Sequence, residues 1–260
     1  MLAGTLVGVG NAERNAEVLP VFERFVTQAE TQLNQEVRGQ ANFLAIVPGA
    51  GSPQEARLRQ GEVVIEERGT TPTMIPGGGM IHRWRGLVFI PRATLAETLA
   101  TVEDYDHLAN YFHPEVDWSK TLSRNGDDFR VAMRLRKKKV MTIVLDTEYA
   151  VHYGRLDERH QYSVSKTTKV VEIANPGERD EHPLPEGKDH GFMIRLYSYW
   201  RFVEVSDGVY VQCEALSVSR GIPTGLNWLI GPFVREVPRE SLQFTLKSTR
   251  EAVRAHSKNP

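Results

Sequence analysis

The chain has 260 residues, of which 40% are hydrophobic and 25% charged, the make-up of an ordinary globular protein. Its 32 basic and 33 acidic side chains leave a net charge of −1, so no overall field draws it to nucleic acid or anionic lipid. A single cysteine, Cys213, excludes an intramolecular disulfide, and no run reaches the roughly 18–20 apolar residues that a membrane-spanning helix needs.

Residues 2–9 (LAGTLVGV) are apolar and end in small residues, with no Lys or Arg before them. A truncated export signal, a flexible leader and a mis-assigned start all fit residues 1–12, which leaves cytoplasm and export both open. Residues 17–37 read as an amphipathic helix, with Pro20 in the first turn and Val18, Phe22, Phe25, Ala29 and Leu33 on one stripe. That stripe is too narrow to enclose a core, so the helix is expected to pack on the rest of the protein. Residues 42–47 are a short apolar run of uncertain type, and 48–53 (PGAGSP) are a loop by composition. Residues 62–67 (EVVIEE) predict a strand, placed to pair with 80–90, and 70–79 a flexible connection. Within it, Gly77-Gly78-Gly79 lacks the lysine and Ser/Thr of a phosphate loop.

From residue 80 the pattern is regular. A strand over 80–90 ends at Pro91, and Thr94 with Glu97 three residues on makes a capping box ahead of two short helices that part near Asp104–Asp106. Strands follow near 116–123, 128–135, 140–153 and 161–173, with Asn125-Gly126 a hairpin signal between the first two. Residues 175–189 are the longest interruption. Two further strands, 190–204 and 209–220, meet at a turn around Asp207 and Gly208 and run into a C-terminal helix. The second of them has a small-residue face: Val209, Val211, Cys213, Ala215 and Ser217. Small side chains on a sheet beneath a helix carrying Leu242, Phe244, Leu246 and Val253 leave room for a ligand. Hairpin-linked strands closed by a helix make an α+β protein with an antiparallel sheet.

Signals for catalysis are weak. His107 and His113, near Asp104 and Asp106, are six residues apart and do not share a helical face, so they read as surface residues and no metal is expected. No serine sits in a nucleophile elbow. The basic run 134–139 (RLRKKK) reads as a solvated hairpin tip, with a phosphate or headgroup contact as the other reading. Asp146 and Glu148 lie in a strand otherwise rich in apolar residues. Arg195, Tyr197 and Tyr199 share one strand face, and Glu214 on the next strand is placed to pair with Arg195. A solvated outer-face pair and a ligand-orienting pair inside a cavity both fit, because a buried ion requires a partner.

The order of elements, with the segments WRGLVFIPRATLAETLATVEDYDHLANYFHPEV and YWRFVE…VYVQCEALSVSRGIP…IGPFVREVPRESLQFTLKSTREAV, resembles bacterial members of the START-like superfamily. Its relatives include polyketide cyclases, the birch pollen allergen and coenzyme Q-binding proteins, and the resemblance covers residues 80–256. It implies a helix-grip fold over residues 76–260, in which a curved sheet wraps a long C-terminal helix around an apolar cavity, with 1–75 as an N-terminal extension. It carries no catalytic signature. By strand alternation Phe129, Val131, Met133 and Leu135 share a face, as do Ile143, Leu145 and Tyr149, and Trp228 and Phe233 share one by helical spacing. These residues, with Arg195, Tyr197, Tyr199 and Glu214, are the candidate ligand site. The expected function is non-catalytic binding or transport of a small hydrophobic or lipid-like molecule, without a cofactor or nucleic acid. The alternative is a polyketide cyclase- or aromatase-like enzyme using Arg195, Tyr197, Tyr199 and Glu214. A third class, an interaction module, would expose the apolar stripe of residues 17–37.

Overall fold

The computed structural model describes residues 6–39, 43–139, 141–185, 187–221 and 227–256; side chains before Asn15 and from residue 227 to 235 lie outside the described part. Five helices are described: α1 (Leu6–Arg38), α2 (Pro53–Arg59), α3 (Leu95–Glu103), α4 (Leu108–Phe112) and α5 (Asn227–His256). Ten strands, β1 (Val64–Glu67), β2 (Thr73–Ile75), β3 (Gly79–Pro91), β4 (Val116–Asn125), β5 (Asp128–Lys138), β6 (Thr142–Arg155), β7 (His160–Ala174), β8 (His182–Pro183), β9 (Arg195–Val205) and β10 (Gly208–Arg220), pair antiparallel. The main path runs β1-β3-β10-β9-β7-β6-β5-β4, with β2 on β3 and β8 on β7. It is a large curved antiparallel sheet with the long α5 against one face, the helix-grip arrangement.

Local chemistry sets most boundaries where the sequence predicts them. Thr94 Oγ1 accepts from the Glu97 amide at 3.2 Å, and Glu97 Oε2 accepts from the Thr94 amide at 2.8 Å, so the capping box starts α3. Gly126 turns β4 into β5 at φ +59. The expected 62–67 strand is β1, and it pairs with β3. Three segments differ. β9 begins at Arg195 rather than at 190, because Gly191 at φ +70 breaks the extended run. The 48–53 loop leads directly into α2, capped by Ser52, whose hydroxyl accepts from the Glu55 amide at 3.1 Å. The 70–79 connection contains β2 and a short 3-10 turn at Pro76–Gly78.

The helix expected from residue 17 begins at Leu6 and carries Pro20 in its interior. It lies on the outer face of the sheet, away from α5. Val18, Phe22, Val26, Ala29 and Leu33 are its buried stripe, packed on Ile81, Tyr197, Tyr199, Leu216 and Val218. Val26 takes the place expected for Phe25, which is half-buried. Beyond the end of α1, Phe43, Leu44, Ile46 and Leu58 cover Leu87, Phe89 and Tyr210 on the same face. The part of the sheet formed by β3, β10 and β9 is therefore buried on both sides.

Between the layers sits an ion network. Glu214, fully buried, accepts from Arg83 Nε at 2.6 Å and from Arg85 Nε at 2.9 Å. Arg201 donates to Glu36 Oε2 of α1 at 2.9 Å and to the carbonyl of Phe43 at 2.8 Å. Each carboxylate has more than one guanidinium, which is the condition under which buried charge is tolerated.

Candidate functional site

The inner face of the sheet is shaped by where side chains are absent. At Gly86 a Cβ would stand 2.3 Å from Leu246 Cδ1 and 2.7 Å from Ile65 Cδ1, so α5 meets β3 there at close range. Leu242, Leu246 and Val253 of α5 pack into the core cluster with Val88, Ile90 and Val211. Further along, the sheet presents small residues to the same helix: Ser163 and Ser165 on β7, Ser198 on β9, and Ala215, Ser217 and Ser219 on β10. The registers Ala215↔Ser198 and Ser165↔Ser198 place three of them in one cross-strand row. With little volume on the wall and α5 held off it, a cavity of about 340 Å³ remains. That lies in the lower part of the range of small-molecule sites.

The rest of the lining is mostly apolar and aromatic. Val102, Tyr105, Leu108 and Phe112 come from α3, α4 and their junction, and Trp200, Phe202, Leu242 and Phe244 from β9 and α5. Tyr105 and Tyr153 share a hydrogen bond of 2.8 Å between hydroxyls, and burial raises both phenols above their ordinary range. Tyr149 is pushed up to about 12 by the same cause. Burial also holds the Cys213 thiol well above its usual range, so this cavity residue stays protonated.

Charged lining residues are paired. Lys137 Nζ donates to Glu115, and Arg136 Nε donates to Asp117 at 2.8 Å. Four members of the basic run expected at a solvated hairpin tip are thus paired with acids, including Arg134 on Asp146 at 2.7 Å and Lys139 on Glu240 of α5 at 2.5 Å. Glu148 faces Arg130 at 3.0 Å, and His107 faces Asp104 at 2.8 Å.

On the wall formed by β3 and β10, three polar groups have no hydrogen-bond partner among the described residues: both ring nitrogens of His82, the indole Nε1 of Trp84 and the hydroxyl of Ser219. All three residues line the cavity, and His82 is only 1% exposed. Buried polar groups without partners are uncommon in native proteins. Burial lowers the His82 pKa to about 4, so the ring is neutral at physiological pH. Because the unfolded ring titrates near 6.5, the unfolded chain takes up this proton first as pH falls. The contribution of His82 to stability is whole above pH 6.5 and is lost between about 6.5 and 4. A shift of this size corresponds to about 3 kcal/mol. Urea unfolding at pH 7 and pH 4.8 is expected to show about 2 kcal/mol of this loss in the native protein, and His82→Phe to remove most of it.

The candidate residues divide by face. Met133, Leu135, Ile143, Leu145 and Tyr149 line the cavity. Phe129 and Val131 share their strand face but lie in the packed cluster, where Phe129 stacks edge-on against Tyr105 and Tyr153 with ring centroids 5.4 and 5.6 Å apart. Arg195, Tyr197, Tyr199 and Glu214 are corrected to the opposite face. Tyr197 donates to Glu23 at 2.7 Å and Tyr199 to Glu30 at 2.8 Å, both on α1. Arg195 donates to the Ile194 carbonyl at 2.8 Å, and Glu214 pairs with Arg83 and Arg85 rather than with Arg195. The physical reason is that α1 buries the outer face, so aromatic residues occupy both faces of β9 and alternation does not tell inside from outside. The side chains of Trp228 and Phe233 lie outside the described residues. His82, Trp84, Ser163, Ser165, Ser198 and Ser219 are among the cavity residues that sequence reasoning passed over. The available signal was period two: His82 and Trp84 share a face with Gly86, Val88 and Ile90.

No helix among the described residues is long and apolar enough to cross a membrane. No family model matches the chain, and no curated protein matches it. Among solved structures, it is similar to a STAR-related lipid transfer protein from Xanthomonas axonopodis at 19% identity and TM-score 0.46, covering 70% of this chain and 97% of that one. It is also similar to the Zhui aromatase/cyclase from Streptomyces sp. R1128 at 11% identity and TM-score 0.46, over 67% and 94% of the two chains. Human STARD10 is similar at 9% identity and TM-score 0.46, over 82% of each chain. In its own topology, a curved antiparallel sheet of ten strands closed on a long C-terminal helix, the chain has the helix-grip fold that resemblance to the START-like superfamily implies.

Proposed function

We propose that the protein binds one small hydrophobic molecule in the cavity between the sheet and α5, without transforming it. The observation that carries this reading is the cavity itself, about 340 Å³ with a mainly apolar and aromatic lining. A core this size packed for stability alone would fill such a space, since voids forfeit dispersion contacts and cost stability. Five serines and an alanine on three adjacent strands keep it open instead. An apolar lining with a few convergent polar groups is the usual make-up of a ligand site.

No observation favours the cyclase-like alternative. Its four residues, Arg195, Tyr197, Tyr199 and Glu214, lie on the opposite face and do not line the cavity, with Tyr197 and Tyr199 hydrogen-bonded to α1. Native mass spectrometry of protein purified from its own cell tests the binding reading. The expected spectrum carries the added mass of one apolar molecule, released by organic extraction; a uniformly ligand-free spectrum would count against it.

A further inference from the structure

The wall between β3 and β10 carries hydrogen-bonding capacity that no described residue uses. His82 lies opposite Ser217, and Ser219 lies two residues further along β10, on the diagonal from His82. Trp84 lies two residues along β3 on the same face. The three residues therefore line the cavity, with His82 between Trp84 and Ser219, which stand four residues apart in register.

We propose that this wall is a subsite for a hydroxyl group on an otherwise apolar, uncharged ligand, an alcohol or a phenol, held by His82 and Trp84. The inference rests on the cavity-binding reading above and specifies the chemistry of its ligand. Donor and acceptor types make the choice. An indole N–H only donates, so Trp84 requires an oxygen acceptor. A neutral imidazole leaves one ring nitrogen bare, so His82 requires a donor as well as an acceptor. A hydroxyl is the smallest group that accepts from an indole and donates to an imidazole at once. A carboxylate or phosphate fits poorly, because the cationic side chains that line the cavity, Arg136 and Lys137, are already paired. They also belong to β5, separated from this wall by β9, β7 and β6.

The test compares 1-naphthol with 1-methylnaphthalene, which has a methyl group in place of the hydroxyl, by titration calorimetry on the full chain. Leaving a buried polar group without its partner weakens binding about tenfold. The ratio of naphthol to methylnaphthalene affinity is expected to fall about tenfold in His82→Phe, while methylnaphthalene binding is retained. Trp84→Phe, which removes only the indole donor and keeps an aromatic ring, is a second variant and should lower the ratio in the same direction. A ratio unchanged in both variants overturns the hydroxyl subsite and leaves cavity binding standing. Failure of both probes to bind the native protein overturns cavity binding, and the subsite with it.

Discussion

Removal of residues 1–39 is expected to abolish cooperative thermal unfolding and to leave a protein that binds hydrophobic dyes. α1 buries Val18, Phe22, Val26 and Leu33 completely or nearly so. At about 1.5–3 kcal/mol for each large side chain, their burial is comparable to the whole net stability of a typical domain, about 5–15 kcal/mol. The loss is double-sided. Ile81, Tyr197, Leu216 and Val218 would be uncovered on the outer face of the sheet, and Arg201 and Arg85 would lose Glu36. Phe22→Ala, which leaves the helix in place, should cost about 3–5 kcal/mol through the cavity left beside Tyr197, whose ring centroid is 5.3 Å from that of Phe22. Circular dichroism melting checks both changes. A truncated chain that melts as the native one does would mean that α1 is an appendage and that its apolar stripe serves a partner instead.

Glu214→Ala is the second large effect expected. Glu214 lies against Arg83 and Arg85 with no access to solvent, and Arg201 is buried beside the same network. Breaking a buried pair by removing one partner costs about 3–5 kcal/mol, because the charges left behind are uncompensated. For a domain of this size that corresponds to a fall in melting temperature of about 10 °C. Since the site faces α1 and not the cavity, ligand affinity measured below the transition should be unchanged. A variant that melts normally would contradict the network's part in stability, and one that loses ligand affinity while still folded would contradict the assignment of faces.

The contrast between β10 and β9 explains what the sequence reveals about this fold and what it conceals. On β10 the small face, Cys213, Ala215 and Ser217, is distinct from the larger one, Gln212, Glu214 and Leu216, and it does line the cavity. On β9 both faces carry bulky groups, Leu196, Trp200 and Phe202 inside and Tyr197, Tyr199 and Arg201 outside. Period-two patterning separates faces only when one of them meets water, and α1 removes that condition. His82 was hidden for the same reason, in a strand whose burial is nearly continuous from Gly79 to Ile90. That Ser217 and Ser219 stand beside His82 becomes visible only once the β3–β10 register is known, and register is a long-range property. Local signals were more dependable: the Thr94–Glu97 box starts α3, and Asn125-Gly126 turns the first hairpin. The seven-residue α2 escaped because the Pro, Gly and Ser residues that precede it read as loop chemistry.

The most direct test of ligand binding between the sheet and α5 is a titration with N-phenyl-1-naphthylamine, a fluorescent apolar probe, of the native protein and of Ala215→Phe. Ala215 lies on the cavity wall between Trp84 on β3 and Ser198 on β9, so a phenyl ring at this position would enter the space. The native protein should show saturable binding of one probe per chain, and Ala215→Phe, still folded, should bind at least about tenfold more weakly, the effect of about 1.4 kcal/mol. Equal binding by the two folded proteins, or no saturable binding by the native one, would contradict the account.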